Sequence, residues 1–462
     1  MVEAMVSSCH DIIIIEKLKD FYDQGIPPVF ERDLSLGPLQ NPDRGNLVQV
    51  VVGVRRCGKT YRLYQEMHRI LREGFDLSSI LYFNFDDERL KPYETAMLED
   101  VVESYFALNP QAKKEGAFFF FDEIQEVPEW GSFMRRMVDT QRATIYVTGS
   151  SSKMLSLHLA SEFRGRALSR EMFPLSFAEF IRFHDQDQQF TRESLKDPTS
   201  FTSAQKSFAR NAFGRYLEKG GFIPAQNLDS SDAIQLLQEF ANRTVNYDII
   251  ERYNIGNPRA AALFLSRALA SSGRELSISK VYNQFKSRQI TIGRETLSRL
   301  LSYYEESFLL FSVANYSVAL ADNTRSSAKI YAVDPALFTA FSPSASHDIG
   351  QKLETTVFDH LRRRASARPG SIARAFVGEG ASRHEIDFIV GDALALEQIE
   401  IIQVSTRIDD HKTFNREISA LDKAMIQFEC AESTLVTLED ERNIETDAGI
   451  VHAVPAWKWL LS

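Results

Sequence analysis

The feature that most constrains this chain is the segment GVRRCGKT at residues 53–60. It follows an apolar run, precedes a helical pattern and completes the motif G-x-x-x-x-G-K-[ST]. Gly53 and Gly58 let backbone N–H groups turn inward around phosphate oxygens. Lys59 supplies a charge to the β- and γ-phosphates, and the Thr60 hydroxyl is a ligand for Mg²⁺. The segment therefore predicts a phosphate-binding loop between a strand and a helix.

The expected ligands of this loop are ATP and Mg²⁺. The helix after the loop points its positive end at the same phosphates. Cys57 is small enough to be a filler residue, and the alternative is a redox role, because a helix N-terminus lowers a thiol pKa. The predicted nucleotide-binding residues of the loop are Gly53, Arg55, Arg56, Cys57, Gly58, Lys59, Thr60 and Tyr61.

The acidic partner of the loop is predicted in AFFFFDEIQEVPEW. Four consecutive phenylalanines predict a strand that is buried on both faces. Asp122 emerges at its carboxyl end, where α/β sheets bind ligands, and is expected to hold Mg²⁺ through water. Glu123 is then placed to polarise the attacking water as a general base. The alternative is a strand that ends in solvated acids.

A further strand is predicted in ATIYVTGSSSKML, and two arginines come soon after it. Thr148 or Ser150 is a candidate sensor of the γ-phosphate, and the alternative is a helix N-cap by Ser150 or Ser151. Arg164 and Arg166 are candidate arginine fingers, acting in their own subunit or in a neighbour's. The alternative for both arginines is surface charge at a helix end.

The sequence also predicts how these strands are arranged. SILYFNFDDERL at residues 79–90 indicates another strand, which ends in Asp86 and Asp87. Strands that begin near residues 47, 79, 117 and 144, separated by helical stretches, predict a doubly wound parallel sheet. The chain has 462 residues, which exceeds one ordinary core and suggests roughly three domains.

Seven segments in a fixed order resemble a large bacterial and archaeal family of AAA+-type ATPases with a carboxyl-terminal domain of unknown function. They are GVRRCGKT, ILYFNFDDERL, FFFFDEIQ, VTGSSSKML, FRGRALSREMFPLSFAEF, YLEKGGFIP and YDIIERYNIGNP. The resemblance implies an α/β fold with an AAA+-type P-loop core and parallel sheet, a helical lid, a winged-helix domain and a carboxyl-terminal nuclease-like domain. The expected ranges are 1–45 for an amino-terminal helical lead, 46–160 for the core, 161–255 for the lid, 256–345 for the winged helix and 350–462 for the nuclease-like domain.

The predicted winged helix is the basic part of an acidic chain. Residues 256–345 hold ten Lys or Arg against six Asp or Glu, whereas the whole chain has a net charge of −10. Ser277 can cap the first of two helices, and a winged helix commonly places its second helix in the major groove of DNA. The alternative is that this fold serves only interdomain packing. The predicted phosphate contacts are Lys286, Arg288, Arg294, Arg299, Arg325 and Lys329.

The end of the chain resembles the PD-(D/E)XK nuclease fold. A helix, GQKLETTVFDHLRRR, precedes the strands HEIDFIV and IEIIQVS, a helix and the strand STLVTL. Metal-assisted cleavage needs carboxylates to hold Mg²⁺ and a cation to orient water. An amide at one acid position and a serine at the lysine position supply neither, so we expect the fold without nuclease activity, unless Lys412 or Lys423 substitutes. The matching positions are Glu354, Asp387, Gln403 and Ser405.

Three functions remain open from the sequence. The first is a nucleotide-driven ATPase switch that acts on DNA or on a protein partner. The second is an ATP-controlled nuclease in defence or mobile-element function, which Ser405 disfavours. The third is a nucleotide-bound adaptor of antitoxin type, which Glu123 disfavours. A finger that acts in a neighbour's site would also require a homo-oligomer.

The sequence predicts a cytoplasmic protein without a membrane segment. Its three cysteines form no disulfide or metal pattern, as is typical of a reducing compartment. The start of the chain lacks the basic region of a signal peptide. No uncharged stretch reaches the roughly 18–20 residues of a membrane span.

Overall fold

The computed structural model describes residues 2–150, 165–316, 328–342, 348–365, 371–380, 383–391 and 399–462, with side chains from His10 onward. The chain divides into two compact units, Met1–Met172 and Phe173–Ser462. No helix of the described residues is both long enough and apolar enough to cross a membrane.

The described strands are β1 Val48–Val52, β2 Ile80–Asn84, β3 Ala117–Asp122, β4 Ala143–Gly149, β5 Ala167–Glu171, β6 Arg274–Glu275, β7 Leu310–Val313, β8 Lys329–Ala332, β9 Ile372–Val377, β10 His384–Val390, β11 Glu400–Val404, β12 Glu432–Thr437, β13 Arg442–Glu445 and β14 Ile450–Pro455. The described α-helices are α1 Val2–Gln24, α2 Lys59–Arg72, α3 Ala96–Leu108, α4 Ala112–Glu115, α5 Trp130–Thr140, α6 Phe177–His184, α7 Arg192–Leu195, α8 Ser203–Lys219, α9 Ser230–Thr244, α10 Pro258–Leu269, α11 Ile278–Ser287, α12 Arg294–Glu306, α13 Pro335–Phe341, α14 Ile349–Arg364, α15 His411–Phe428 and α16 Ala456–Trp459. A π-helical turn, Val245–Glu251, continues α9.

The first unit contains a five-stranded parallel sheet in the order β2-β3-β4-β1-β5. β1, β3 and β4 are buried along their whole length. Their valine, phenylalanine and isoleucine side chains suit a sheet that is covered on both faces. All five carboxyl ends lie at one edge, so the residues after β1, β3 and β4 converge there. The predicted parallel sheet is confirmed.

The sheet extends further along the chain than we predicted. β5 pairs with β1 from Val48 opposite Ala167 to Val52 opposite Glu171. These residues lie in the segment that we assigned to the helical lid, so the predicted core boundary at residue 160 is too early. β5 is an edge strand and is mostly partly exposed, with Glu171 alone buried, and its sequence ALSRE lacks the apolar run of the other strands.

The second unit includes residues 173–255, the larger part of the segment that we predicted as a separate lid. The Gly221 amide donates to Asp334 Oδ2 at 2.7 Å, and Gln238 Nε2 donates to the Ala340 carbonyl at 2.6 Å. These bonds tie the region of α8 and α9 to α13, which lies within the predicted winged-helix range. The lid segment is therefore part of the same compact unit as the rest of the chain's carboxyl-terminal half.

Residues 258–332 contain helices and strands in the order helix, strand, helix, helix, strand, strand. The strands form a three-stranded antiparallel sheet in the order β6-β8-β7. Ser277 Oγ accepts the Lys280 amide at 3.4 Å and caps α11 as predicted. Leu297 and Leu300 are fully buried on the inner face of α12. The two helices and the strand that the sequence predicted are therefore present, and the winged-helix fold stays a prediction.

The end of the chain forms a six-stranded mixed sheet in the order β13-β14-β12-β11-β10-β9. The predicted strands HEIDFIV and IEIIQVS pair antiparallel as β10 and β11, and STLVTL lies parallel to β11 as β12. The strands β9, β13 and β14 were not predicted from the sequence. The core of this sheet consists of aliphatic side chains, among them Ile386, Ile389, Ile401, Leu421 and Leu435.

Candidate nucleotide-binding site

The loop between β1 and α2 is shaped by two glycines and an arginine. A Cβ atom at Gly53 would lie 2.0 Å from the Met172 carbonyl oxygen, so only glycine fits there. Gly58 has the left-handed φ of 103° and begins α2. Buried Arg32 donates from Nη1 to the Cys57 carbonyl at 2.8 Å. Arg32 holds the loop from outside the motif and was not predicted from the sequence.

Lys59 lies between the loop and the acid that comes after β3. Its Nζ donates to the carbonyls of Gly53 at 3.1 Å and Val54 at 3.3 Å, and it lies 3.6 Å from Glu123 Oε1. Burial raises the pKa of Glu123, but the charges of Lys59 and Arg55 outweigh burial and lower it below the ordinary value. Glu123 is therefore an ionised carboxylate held beside the phosphate-binding loop.

Asp122 is fully buried and accepts hydrogen bonds from several side chains. Thr60 Oγ1 donates to Oδ2 at 2.7 Å, and the Thr148 hydroxyl donates to Oδ1. Tyr82 and Asn84, both on β2, lie 3.3 Å from Oδ2. These two residues were not predicted from the sequence, although Asn84 ends a strand at the same edge of the sheet. Thr60 and Asp122, predicted to hold one metal ion, are thus in contact.

The oxygens of Thr60 and Asp122 suit a hard cation such as Mg²⁺. Burial, and next the charge of Glu123, raise the pKa of Asp122, while the two threonine hydroxyls oppose this rise. A nearby positive charge favours the ionised form of such a carboxyl group. A cation at this position would therefore relieve the cost of burying Asp122, and the residues fit the expected metal.

The candidate sensors have different surroundings. The Thr148 hydroxyl donates to Asp122 and accepts the Glu123 amide at 3.0 Å, so both of its hydrogen-bonding functions serve the acidic pair. Ser150 Oγ lies 3.4 Å from Gln125 Nε2, which also donates to Glu123 Oε2 at 2.6 Å. Thr148 thus positions the two acids, and Gln125 links Ser150 to the carboxylate of Glu123. Ser151 lies outside the described residues.

The remaining loop side chains differ in exposure. Arg55 is mostly buried and lies 4.0 Å from Glu126. Arg56 has a positive φ of 69°, and Tyr61 is 53% exposed. Burial raises the pKa of the Cys57 thiol, and the nearby cations do not reverse the shift. The redox alternative for Cys57 is therefore contradicted, because the thiol is buried and protonated.

Arg166 lies at the amino-terminal ends of the parallel strands, whereas the phosphate-binding loop lies at their carboxyl-terminal ends. It directly precedes β5, its carbonyl accepts the Val48 amide at 2.9 Å, and its guanidinium pairs with Asp139. Val48 begins β1, whereas the loop comes after the end of β1. A finger role for Arg166 in its own subunit is therefore wrong, and a role in a neighbour's site stays a prediction. Arg164 lies outside the described residues.

The predicted nuclease-like positions lie in the second unit. Gln403 Oε1 accepts the Asp387 amide at 3.1 Å, and Gln403 Nε2 donates to Glu417 at 2.9 Å. Ser405 Oγ donates to the Arg407 carbonyl at 3.1 Å. Glu354 on α14 and Asp387 on β10 lie on either side of one cation, the ammonium of Lys329.

The predicted phosphate contacts differ in their exposure to solvent. Lys286 and Arg288 end α11, Arg294 and Arg299 lie on α12, and all four are exposed. Lys329 is buried among carboxylates, so its prediction as a phosphate contact is wrong. Arg325 lies outside the described residues.

Two parts of the chain match known protein families. Residues 45–181 match the family described as "AAA domain", and residues 210–348 match "Domain of unknown function (DUF8612)". The chain is 29% identical over 441 residues to "Uncharacterized protein MJ1544" of Methanocaldococcus jannaschii, covering 94% of this chain and 91% of that protein. It is 26% identical over 377 residues to an "Uncharacterized protein" of Haemophilus influenzae, covering 80% and 86%.

Solved structures with some similarity include two from archaea. The Walker-type ATPase PABY2304 of Pyrococcus abyssi has a TM-score of 0.41 at 14% identity, covering 64% of this chain and 90% of that chain. The ORC1 protein of Aeropyrum pernix in complex with DNA has a TM-score of 0.28 at 12% identity, covering 74% and 92%. Residues 45–181, which match the family described as "AAA domain", contain the phosphate-binding loop and the acids Asp122 and Glu123 described above.

Proposed function

We propose that this protein is a nucleotide-driven switch whose first unit binds ATP with Mg²⁺ and hydrolyses it. The observation that carries the proposal is the contact of Asp122 with Thr60, beside an ionised Glu123. Thr60 and Asp122 would hold Mg²⁺, which supplies charge to the β- and γ-phosphates when bound. Both acids lie at the carboxyl edge of the sheet, beside the loop that binds phosphates in this type of domain.

The ion pair between Lys59 and Glu123 supports a mechanism for coupling binding to catalysis. Lys59 is the residue that a γ-phosphate attracts, and its movement would leave Glu123 without its principal cation. Losing that charge raises the pKa of the carboxylate toward the range of a general base. Gln125 would still orient Glu123 through their hydrogen bond. Nucleotide binding would thus release the base for the attacking water.

Two substitutions separate binding from hydrolysis. Lys59→Ala is expected to lose ATP affinity, because it removes the charge that contacts the phosphates. Glu123→Gln is expected to keep ATP bound and to lose turnover, because only the base is removed. Binding is measured with a fluorescent ATP analogue and turnover by phosphate release, with exposed Glu115→Gln as the matched control. Wild-type turnover in Glu123→Gln would refute the assignment of the base.

We further propose that residues 258–332 form a winged helix that carries the DNA binding of this protein. The support is its basic balance and the exposure of Arg294 and Arg299 on α12. Arg294→Ala combined with Arg299→Ala should weaken binding to duplex DNA, and each lost phosphate contact should lower the salt slope by about one unit. Exposed Lys412→Ala is the charge control. No binding by the wild type at low salt would favour the packing role instead.

The charge of the carboxyl-terminal domain disfavours the nuclease alternative. The segment 351–462 has thirteen Lys or Arg against nineteen Asp or Glu, which disfavours a phosphodiester backbone. We propose that this domain docks a protein partner or another subunit. Incubation with single- and double-stranded DNA and RNA, with Mg²⁺ or Mn²⁺ and with or without ATP, tests this. Cleavage that is lost in Asp387→Ala would establish the ATP-controlled nuclease.

A further inference from the structure

A buried lysine lies among three carboxylates where β8, β10 and α14 meet. Lys329 Nζ lies 2.6 Å from Glu354 Oε1, 3.0 Å from Asp387 Oδ1 and 3.1 Å from Glu385 Oε1. The lysine side chain is 7% exposed. A charge removed from water in this way is retained only when it is paired and hydrogen-bonded. These contacts satisfy all three protons of the ammonium group.

The electrostatics of the cluster keep the lysine charged. Burial lowers the pKa of Lys329, but the charges of Asp387, Glu354 and Glu385 outweigh burial and raise it above the ordinary value. Arg374 Nη1 adds a second cation 3.5 Å from Glu385 Oε1. Burial and the charge of Asp387 raise the pKa of Glu354 to about 7. Burial and the neighbouring acid thus make Glu354 harder to ionise, and the charge of Lys329 opposes this effect.

Two of these carboxylates are the ones that a metal-dependent nuclease would use. Glu354 and Asp387 stand at the metal-binding positions of the fold that residues 350–462 resemble, and one cation contacts both directly. In a metal site, Mg²⁺ would take this position between the two carboxylates. The amide at the third acid position, Gln403, instead binds the Asp387 amide and Glu417.

The carboxylate oxygens around the ammonium are already used by the protein. Asp387 Oδ1 accepts from Lys329, and Asp387 Oδ2 accepts the Val404 amide at 3.0 Å. Glu354 Oε1 accepts from Lys329 and from the Tyr331 hydroxyl at 2.6 Å. A catalytic lysine would stand beside a metal and orient water. Here the ammonium itself contacts both acids. It therefore lies where a metal ion would lie in such a site.

We propose that the Lys329 ammonium takes the place of the divalent cation in this nuclease-like site, so that the chain supplies its own resident cation from β8. The proposal does not depend on ATP hydrolysis by the first unit. It explains why a domain without nuclease chemistry keeps Glu354 and Asp387: they bind a cation that is part of the fold. It also joins the three-stranded sheet to the six-stranded sheet through one ion cluster.

The test is a titration of the full-length chain with Mn²⁺, monitored by the electron paramagnetic resonance signal of the free ion and performed without nucleotide. The wild type is compared with Lys329→Met, which keeps much of the side-chain volume and removes the charge. Lys329→Met should gain a Mn²⁺ site with a dissociation constant on the order of 10⁻⁵–10⁻³ M, the weaker end of carboxylate sites. Adding Asp387→Asn to this variant should abolish the new site. Lys286→Met, which changes an exposed lysine of the same unit, should gain nothing.

Three outcomes would overturn the proposal. The first is a Mn²⁺ ion that the wild type binds and the Asp387→Asn variant does not bind. This comparison does not depend on whether a Lys329 variant folds. The second is a folded Lys329→Met chain, judged by circular dichroism, that gains no Mn²⁺ site. Nuclease activity with Mn²⁺ that disappears in both Lys329→Met and Asp387→Asn would overturn it as well, by making Lys329 a relocated catalytic lysine.

Discussion

A single hydroxyl, that of Thr148, connects the two acids of the nucleotide site. It donates to the buried carboxylate of Asp122 and accepts the backbone amide of Glu123. The backbone at Glu123 is left-handed, with φ of 53°, which is uncommon for a residue with a side chain. The hydroxyl therefore fixes both the first carboxylate and the peptide that directs the second.

Thr148→Val should separate this positioning role from nucleotide binding. Valine keeps the shape and removes both hydrogen bonds, so turnover should fall by about 10- to 100-fold while ATP affinity stays close to that of the wild type. The buried Asp122 loses a donor, which should lower the free energy of unfolding by about 1–3 kcal/mol. The measurements are phosphate release, binding of a fluorescent ATP analogue and urea unfolding.

Thr144→Val is the matched control for this substitution. Thr144 is buried on the same strand and also donates one hydrogen bond, to the Gln40 carbonyl, and accepts one, from Asn46. It lies at the amino-terminal end of β4, away from the acids. Its substitution should lower stability without lowering turnover. Equal losses of turnover in both variants would assign the effect of Thr148→Val to stability alone.

At the scale of elements, the turn after α8 joins the predicted lid to the rest of the second unit. Gly221 donates to Asp334, which lies at the N-terminus of α13. A Cβ atom at Gly221 would lie 2.2 Å from the Leu175 carbonyl oxygen. Two backbone segments and a carboxylate thus meet where a side chain does not fit. This explains the glycine pair in YLEKGGFIP by close packing.

Gly221→Ala should destabilise the chain, because the added methyl group would clash with backbone atoms of Leu175, which packing holds in place. Overpacking of this kind costs about 1–3 kcal/mol. Gly214→Ala is the control, since Gly214 lies inside α8 and a Cβ atom there meets nothing within 4 Å. That substitution should be neutral or stabilising by about 0.5–1 kcal/mol. The measurement is the free energy of unfolding of both variants in urea. A Gly221→Ala chain as stable as the Gly214→Ala chain would contradict the packing argument.

At the scale of the whole molecule, residues 173–255 of the predicted lid belong to the same compact unit as the carboxyl-terminal half. A fragment of residues 173–462 should therefore fold alone and melt cooperatively, as measured by circular dichroism. A fragment of residues 256–462 should not, because buried Asp334 loses the Gly221 amide and α13 loses its cover from α8 and α9. If the shorter fragment melted at the same temperature as the longer one, the lid would be a separate domain, as the sequence suggested.

Local patterns and the loop motif made part of the fold and of the candidate site predictable from the sequence. The parallel core was predictable because its central strands are apolar runs, and the loop with Asp122 was predictable because each part comes directly after such a run. β5 was not, because the edge strand ALSRE has only two apolar residues, followed by three polar ones, and so lacks the apolar run of the central strands. The role of Lys329 was also missed, because AKIYAV shows only an apolar strand with one lysine. Its three carboxylate partners come from segments that only tertiary packing brings together.

The outer strand β9 has a consequence for solubility. Exposed strand edges recruit further strands, from other copies or from misfolded chains, and so promote aggregation. Here the chain covers part of this edge itself: the Arg374 amide donates to the Ala314 carbonyl, and the Arg374 carbonyl accepts the Tyr316 amide. At the opposite edge, β13 has only four residues, Arg442–Glu445, and two of them are charged. The six-stranded sheet is thus protected from edge-to-edge growth, by the chain's own backbone on one side and by short length and charge on the other.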